Sequence, residues 1–205
     1  RILVTAGPTE EPLDPVRFIT NLSSGKMGYA LARVARRRGA QVTLVTGPTN
    51  LPLPQVNKIV QIRTAQEMYK AVLDNFEEAT IVIKAAALAD YRPAVKAQEK
   101  IKKNRQSLAL NLERNPDIIF ELGKIKGSRI LVGFAMETQN LLDNAREKLK
   151  KKNLDFIVAN SLREEGAGFQ TDTNVITIID KTGKAEAFSK MTKLDAALKI
   201  FDRIR

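Results

Sequence analysis

Cysteine and histidine are absent from this chain of 205 residues, and aromatic residues make up only 5% of it. Without cysteine there is no disulfide and no thiol nucleophile, and without histidine there is no imidazole acid–base chemistry and no zinc site of the usual kind. No apolar run approaches the roughly 20 residues that cross a bilayer, which predicts a soluble protein. The available chemistry is that of carboxylate, ammonium, amide and hydroxyl groups.

Basic residues outnumber acidic ones. The chain has 34 Lys and Arg against 23 Asp and Glu, which gives a formal net charge of +11. This excess favours anionic partners, either nucleic acid or phosphorylated metabolites. A lysine-rich surface that serves only solubility explains the same number, so charge alone does not choose between these interpretations.

Apolar strand patterns alternate with helical patterns along the chain. "RILVTAG" and "QVTLVTGP" flank the helical "GYALARVARRRGA", which is typical of a βαβ unit. Further predicted strands are "NKIVQI", the first part of "ATIVIKAAALADYRP", "SLALNL", "RILVGFAM" and "LDFIVAN". Predicted helices are "TAQEMYKAVLDNF", with a capping box, "PDIIFELGKI", opened by Pro116, and "NLLDNAREKLKKKN".

The chain ends in a predicted hairpin, "TNVITIID" with "KAEAF", and a helix from about Lys190 to Ile204 capped by Ser189. Together these elements predict an α/β fold: a doubly wound, largely parallel, Rossmann-like sheet flanked by helices, with a small C-terminal β-hairpin extension. We expect one domain over 1–205 and a mobile, lysine-rich loop at about 95–107.

Two familiar nucleotide motifs are absent. The first strand is not followed by G-x-G-x-x-G, and the P-loop spacing around "NLSSGKMG" would need Gly at position 20 and Ser or Thr at position 27, where Thr20 and Met27 stand. What remains is a helix start preceded by Ser23, Ser24 and Gly25. It predicts either an anion site with Lys26 beside it or an ordinary Ser-capped helix.

Other polar clusters lie at strand ends and in loops. In "KAAALADYRP", Asp90 either binds ribose hydroxyls or a metal-nucleotide, or caps a turn, while the alanines admit a flat base or only fill the core. In "EKIKKNRQ", Lys100, Lys102 and Lys103 either close over a triphosphate or form a solvated loop. Asp117, near the start of a predicted helix, either stabilises that helix start or takes part in the functional site.

Basic and amide side chains complete the set of candidate site residues. Lys148, Lys151 and Lys152 either serve a site or form a basic helix end. Arg17 and Asn21 are four residues apart, so on a helical turn they share a face on which a guanidinium holds a phosphate and an amide polarises a carbonyl.

The order of these motifs carries a resemblance. "GPTEEPLDPVRFITNLSSGKMG", "AAALADYRP", "EKIKK", "NPDII", "GFAMET" and "GFQTDTNVITIID" resemble, over essentially the whole chain, the phosphopantothenoylcysteine synthetase (phosphopantothenate–cysteine ligase) family of coenzyme A biosynthesis. In bacteria this resemblance implies the C-terminal half of a bifunctional protein, and the absent initiator Met agrees with a ligase half alone. It also implies a cytoplasmic homodimer, fused to or associated with a flavin-dependent phosphopantothenoylcysteine decarboxylase.

The resemblance implies a two-step ligation with CTP and Mg²⁺. The carboxylate of 4'-phosphopantothenate attacks the α-phosphorus of CTP to give an acyl-cytidylate, and L-cysteine then displaces CMP. By resemblance, Asn21 binds substrate, stabilises the intermediate and aids its conversion. Lys100 is needed to form the intermediate, and Arg17 contacts phosphopantothenate. The implied nucleotide-binding residues are Ser23, Lys84, Ala85, Ala86, Asp90, Lys100, Pro116, Asp117, Ile118, Ile119, Phe134, Lys148 and Lys152. Metal ligands are not assigned.

Two other functions compete with this interpretation. The net charge suggests a nucleic-acid-binding α/β domain, against which stand scattered basic residues and the scarcity of aromatics for base stacking. The fold class suggests an NAD(P)-dependent Rossmann reductase, against which stands the missing glycine fingerprint. We therefore expect neither nucleic acid nor a membrane as a partner.

Overall fold

The computed structural model describes residues 1–102, 106–137, 140–161, 168 and 170–204. The helices are α1 (Lys26–Arg37), α2 (Ala65–Asp74), α3 (Ile118–Ile125), α4 (Leu141–Lys151) and α5 (Lys193–Arg203). The strands are β1 (Ile2–Ala6), β2 (Glu10–Pro12), β3 (Phe18–Thr20), β4 (Val42–Thr46), β5 (Lys58–Gln61), β6 (Ile81–Lys84), β7 (Tyr91–Pro93), β8 (Leu112–Arg114), β9 (Ile130–Glu137), β10 (Phe156–Ser161), β11 (Thr173–Asp180) and β12 (Ala185–Thr192).

Eight of these strands form one sheet in the order β12-β11-β10-β9-β6-β1-β4-β5. Six adjacent strands are parallel, in the order β10, β9, β6, β1, β4 and β5. The β11–β12 hairpin extends the sheet beyond β10 in antiparallel pairing. This confirms the predicted α/β class with a largely parallel sheet. Two short antiparallel strand pairs, β2–β3 and β7–β8, lie outside it.

Helices cover both faces of the sheet. Helices α1 and α5 pack on one face through residues such as Leu31 and Ile200. Helices α2, α3 and α4 pack on the other through Met68, Leu122 and Leu149. Because the central strands β1, β4, β6, β9 and β10 are buried on both faces, they contain continuous apolar runs in place of an alternating pattern.

The strand order reverses between β1 and β6. From β1 the chain continues outward to β4 and β5, whereas from β6 it continues to β9 and β10 on the opposite side. In open α/β sheets the crevice at the carboxyl ends of such strands is where ligands bind. The fold therefore places the candidate site beyond Ala6 and Lys84.

Several sequence-based expectations were wrong in detail. "SLALNL" is not a strand over its length, because pairing with the three-residue β7 begins only at Leu112, and Leu108 and Leu110 lie exposed. The last helix begins at Lys193 and not at Lys190, because residues up to Thr192 pair with β11 and the Thr192 hydroxyl accepts the Asp195 N–H.

The structure defines two helix starts and one segment that is not helical. The capping box of α2 is confirmed, since Thr64 accepts the Glu67 N–H and Glu67 accepts the Thr64 N–H. Helix α3 begins at Ile118, so Asp117 is its N-cap and does not lie in the first turn. The residues between Arg17 and Asn21 form β3, so the shared helical face expected for these two side chains does not exist.

Candidate active site

Helix α1 begins at the crevice between β1 and β6. Its N-cap is Gly25 in the left-handed conformation (φ 79°), and no side chain caps the helix, so the Ser-capped interpretation was wrong. Glycine adopts this conformation without a Cβ clash. The Ser23 hydroxyl instead accepts the Gly25 N–H within the loop, at 3.4 Å. The first N–H groups of α1 therefore face the crevice without a side-chain cap.

A cavity of about 180 Å³ opens at this helix start, between α1 and the ends of β6, β9, β10 and β11. We call it the α1 cavity. Five of the expected nucleotide-binding residues line it: Ser23, Lys84, Ala85, Ala86 and Phe134. Asn21 is anchored at its wall, because its Nδ2 donates to the carbonyl of Ala87, another lining residue, at 3.0 Å.

A second cavity, of about 360 Å³, lies between the start of α3 and the end of α4. We call it the α4 cavity. It is lined by three expected residues, Asp117, Lys148 and Lys152, and by neighbours that include Phe120 and Lys151. The Lys152 ammonium contacts the Asp117 carboxylate at 2.8 Å, so a basic helix end does meet an acidic cap here. The surplus of lysine leaves this cavity suited to an anion.

Lys84 connects the two cavities electrostatically. It ends β6 and lines the α1 cavity, and its charge interacts with Lys152, Asp117, Asp90 and Lys148. Burial lowers the pKa of Lys84 from 10.5 to about 8, with the Lys152 charge as the second cause. A lysine in this state is a cation at neutral pH that loses its charge in mildly alkaline solution.

Arg17 lines neither cavity. Its guanidinium donates to the buried carboxylate of Asp14 through both Nε and Nη2, and Nη2 also donates to the Ile101 carbonyl at 3.0 Å. The Asp14 carboxylate in turn accepts the Ile101 N–H at 3.1 Å. This network holds the pKa of Asp14 well below its usual range, chiefly through Arg17. Arg17 thus fixes the backbone next to Lys100.

The remaining expected residues occupy varied environments. Asp90 and Lys100 are exposed and line neither cavity, and Pro116 lies just before the α3 cap. Ile118 and Ile119 are buried in the core, so only their backbone can meet a ligand. Lys103, together with Thr138 and Phe169 of the quoted motifs, lies outside the described residues.

The sequence interpretation missed three lining residues of the α1 cavity: Asn160, Asn174 and Lys193. Asn160 lies near the carboxyl end of β10, a position that parallel-sheet rules do mark for inspection. Lys193 comes from the first turn of α5, and no local signal connects that turn with the Ser23 loop. Only the packing of α5 against α1 brings them together.

Among the described residues, no three Asp or Glu side chains lie close enough together to hold a metal ion.

Within the described part of the chain, no helix is long and apolar enough to span a membrane.

Comparison with known proteins now identifies the family. All of residues 1–205 match the family model described as the DNA/pantothenate metabolism flavoprotein C-terminal domain. The chain belongs to this family. The resemblance inferred from the order of the motifs is thereby confirmed.

Individual relatives support the same assignment. The coenzyme A biosynthesis bifunctional protein CoaBC of Bacillus subtilis (strain 168) is 47% identical over 204 residues, which are 99% of this chain and 50% of that protein. A protein from an unknown prokaryotic organism, named cysteine/cysteine sulfinic acid decarboxylase, is 48% identical over 206 residues, 100% of this chain and 57% of that protein. This member of the family thus spans about half the length of these relatives.

Solved structures agree with the fold. The C-terminal domain of a CoaBC protein superposes with a TM-score of 0.86 at 43% identity, covering 100% of this chain and 93% of that one. A Cab2 mutant in complex with phosphopantothenate-cysteine shares the fold with a TM-score of 0.78 at 17% identity, covering 98% of this chain and 85% of that one.

Proposed function

We propose that this chain is a phosphopantothenate–cysteine ligase of coenzyme A biosynthesis. It activates 4'-phosphopantothenate with CTP to an acyl-cytidylate and joins the acyl group to L-cysteine. The observation that carries the proposal is a pair of lysine-bearing cavities: the α1 cavity at the strand-order reversal, with Asn21 at its wall, and the α4 cavity, whose Lys148 and Lys152 interact electrostatically with Lys84. The family match, the CoaBC relatives and the ligand of the Cab2 neighbour support it.

In the first step, a carboxylate oxygen of phosphopantothenate forms a bond to the α-phosphorus of CTP, and the bond to the bridging oxygen breaks to release pyrophosphate. The chain has no imidazole or thiol for this chemistry, but phosphoryl transfer depends mainly on positioning and charge neutralisation. Lys148 and Lys152 in the α4 cavity, with Lys84 and Lys100, supply that positive charge. Asn21, fixed by the Ala87 carbonyl, holds the acyl group.

In the second step, the cysteine nitrogen forms a bond to the acyl carbon and the bond to the phosphate oxygen breaks. CMP leaves with that electron pair, and the nitrogen releases its excess protons to solvent. Mg²⁺ fits this scheme as an ion held largely by the nucleotide phosphates, because magnesium sites commonly use one or two carboxylates at most. Bound there, it would neutralise phosphate charge, and Asp90 is the first carboxylate that follows the end of β6 in the sequence.

Three further expectations belong to this proposal. They are a homodimer, a fused or associated phosphopantothenoylcysteine decarboxylase, and a cytoplasmic location. The relatives named bifunctional are about twice as long as this chain, which supports the fused partner. Family membership does not favour an NAD(P)-dependent reductase or a nucleic-acid-binding domain.

Pyrophosphate release tests the proposal directly. We expect release with CTP only when phosphopantothenate is present, and less or none with ATP. Release that is independent of phosphopantothenate would contradict the ligase assignment. Tight NADPH binding, or a salt-sensitive shift of nucleic acid with no pyrophosphate release, would support the competing functions instead.

Replacing Asn21 with Asp is expected to make acyl-cytidylate accumulate. The variant keeps the side-chain shape, but a carboxylate lacks the N–H that the Ala87 carbonyl accepts and repels the developing negative charge. Quenched reactions with labelled CTP, phosphopantothenate and L-cysteine measure the intermediate in the variant and in wild type. Turnover of Asn21→Asp at the wild-type rate would remove Asn21 from the mechanism.

Nucleotide use should depend on the protonation of Lys84. Below a pKa of about 8 the side chain is a cation that attracts phosphate, and above it this attraction is lost, so kcat/KM for CTP falls as pH rises through 8. Lys84→Arg stays charged and should abolish this fall, which separates Lys84 from Lys193, whose pKa is also lowered to about 8. An identical pH profile in Lys84→Arg would contradict the role.

A further inference from the structure

A groove of about 620 Å³ opens at the amino-terminal end of the sheet, away from the strand ends at which the α1 cavity lies. It lies between the ends of α1 and α5 and the first residues of β1 and β6. Its wall is largely apolar and includes Ile2, Ala35, Ala40, Ile81, Phe201 and Ile204. We call it the amino-end groove. Apolar surface gathered in one concave place is typical of an interaction site.

The charged residue of this lining already has partners. The Arg38 guanidinium donates to the Asp202 carboxylate at 2.7 Å and lies over the Phe201 ring, 5.9 Å from its centroid. A small anion therefore gains little from Arg38. The amino-end groove instead favours an occupant with apolar side chains, because burying such side chains against its wall removes apolar surface from water.

The first residues of the chain lie at this groove. Ile2 pairs with Ile81 at the start of two neighbouring strands, and both line the groove. Arg1 is fixed just before them, since its carbonyl accepts the Thr80 N–H and the Thr80 hydroxyl, each at 2.9 Å. A residue that precedes Arg1 in a longer chain would therefore continue from a fixed point beside the groove.

Strand geometry gives the direction of such preceding side chains. Successive side chains of a strand point to opposite faces of its sheet. Ile2 and Val4 belong to the core beneath α1 and α5, whereas Leu3 belongs to the core on the other face. If β1 is continued backwards in the same conformation, the first and third residues before Arg1 point to the face of Ile2, where the groove lies.

The relatives indicate what precedes this part of the chain in other members of the family. The family model is that of a C-terminal domain, and CoaBC of Bacillus subtilis is about twice as long as this chain, so its other half comes largely before the part matched here. We infer that the amino-end groove is the docking site of the segment that joins such a preceding half to Arg1. This inference rests on the fused partner of the proposed function.

Docking at this end of the sheet suits the ligase. Apolar side chains of the joining segment would pack between α1 and α5 and hold the two halves in a fixed relation. The groove lies at the starts of β1 and β6, whereas the α1 cavity lies at the carboxyl ends of the strands. A segment docked in the groove therefore leaves the substrate site open.

Thiol labelling of the full-length protein tests this docking, because the 205 residues contain no cysteine of their own. Ala40→Cys places a thiol at a half-buried position in the groove wall. We expect a maleimide to react at least about tenfold more slowly in the full-length protein than in the 205-residue domain, since the segment must first open locally. Mass spectrometry of the tryptic peptide that contains position 40 measures this rate.

Two further samples make the comparison specific. Ala187→Cys is the matched control, because Ala187 is exposed on β12 and does not line the groove, so its labelling rate should be equal in both forms. Glutamate at the first and third positions before Arg1 should return the Ala40→Cys rate to within about twofold of that in the domain. A CoaBC C-terminal domain has been solved separately, which supports the use of the domain alone.

Several results would overturn the inference. They are equal Ala40→Cys rates in both forms, protection that persists with the glutamates in place, protection that depends on protein concentration and so indicates a second copy, and a native chain with no preceding half. Should Ala40→Cys not fold, Arg38→Cys on the exposed rim gives the same comparison. Pyrophosphate release is measured separately, and its absence would refute the ligase assignment whatever the labelling rates are.

Discussion

Lys100→Gln is expected to form no detectable acyl-cytidylate, with the first step at least about 100-fold slower than in wild type. The side chain is exposed and contributes to neither cavity, so under the proposed function it brings a positive charge to phosphates that project from the site. Glutamine keeps the length and polarity but removes the charge. Quenched-flow analysis with labelled CTP and phosphopantothenate measures the intermediate directly.

The structure explains how an exposed lysine can be positioned. Its neighbour Ile101 is held at both backbone groups, since its N–H donates to Asp14 and its carbonyl accepts from Arg17. The Ala97 N–H is also bound, by the Leu13 carbonyl at 2.9 Å. Lys100 therefore projects from a fixed backbone next to the turn between β2 and β3.

Lys96→Gln is the matched control, because it removes an exposed lysine from the same segment. We expect it to keep the first step within about twofold of wild type, since exposed charges away from the phosphates contribute little. Equal losses in both variants would indicate a general effect of charge, and intermediate formed at the normal rate by Lys100→Gln would clear Lys100 of a role.

Gly47→Ala is expected to lower the free energy of unfolding by about 3 kcal/mol or more, the upper end of the cost of overpacking. Gly47 follows β4, and a Cβ placed there would lie 1.7 Å from the Pro8 carbonyl oxygen. That neighbour is backbone, so it cannot rotate away as a side chain could. Pro8 also forms a bridge to Ala87, which means that the required shift would reach the strand end beside Asn21.

Thermal unfolding measures this effect. For a domain of this size, 3 kcal/mol corresponds to a Tm lower by roughly 6 to 12 °C. Gly183→Asn is the control: it also replaces a glycine, but nothing lies within 4 Å of the added Cβ, and asparagine tolerates the φ of 89° there. A Tm for Gly47→Ala equal to that of the control would show that the loop yields freely.

The helices and strands of the sheet were predictable because each is encoded locally. The capping box at Thr64, the arginine-rich end of α1 and the apolar runs of β1, β4 and β9 are signals contained in about a dozen residues. The prediction failed where pairing partners decided the outcome. The segment from Lys190 to Thr192 has a helix start after it, yet it pairs with β11, which no local pattern shows.

The candidate site was likewise predictable where its signals are local and not where distant segments meet. Motif order predicted the Ser23 loop, the strand end at Lys84 and the basic α4, and the structure groups these around two neighbouring cavities. It did not predict that Arg17 would be bound to Asp14, since that pair depends on the turn between two short strands. Nor did it predict Asn160 and Lys193, which lie more than 130 residues from Ser23 along the chain.

The amino-acid sequence by itself determined the fold class, the exclusion of thiol and imidazole chemistry, and the family. Composition sets which reactive groups exist, and local periodicity sets where helices and strands form. Only the tertiary structure decided which reactive groups share a cavity. That outcome depends on strand order and on the sheet face to which each side chain is directed, and both are set by packing between segments distant in the sequence.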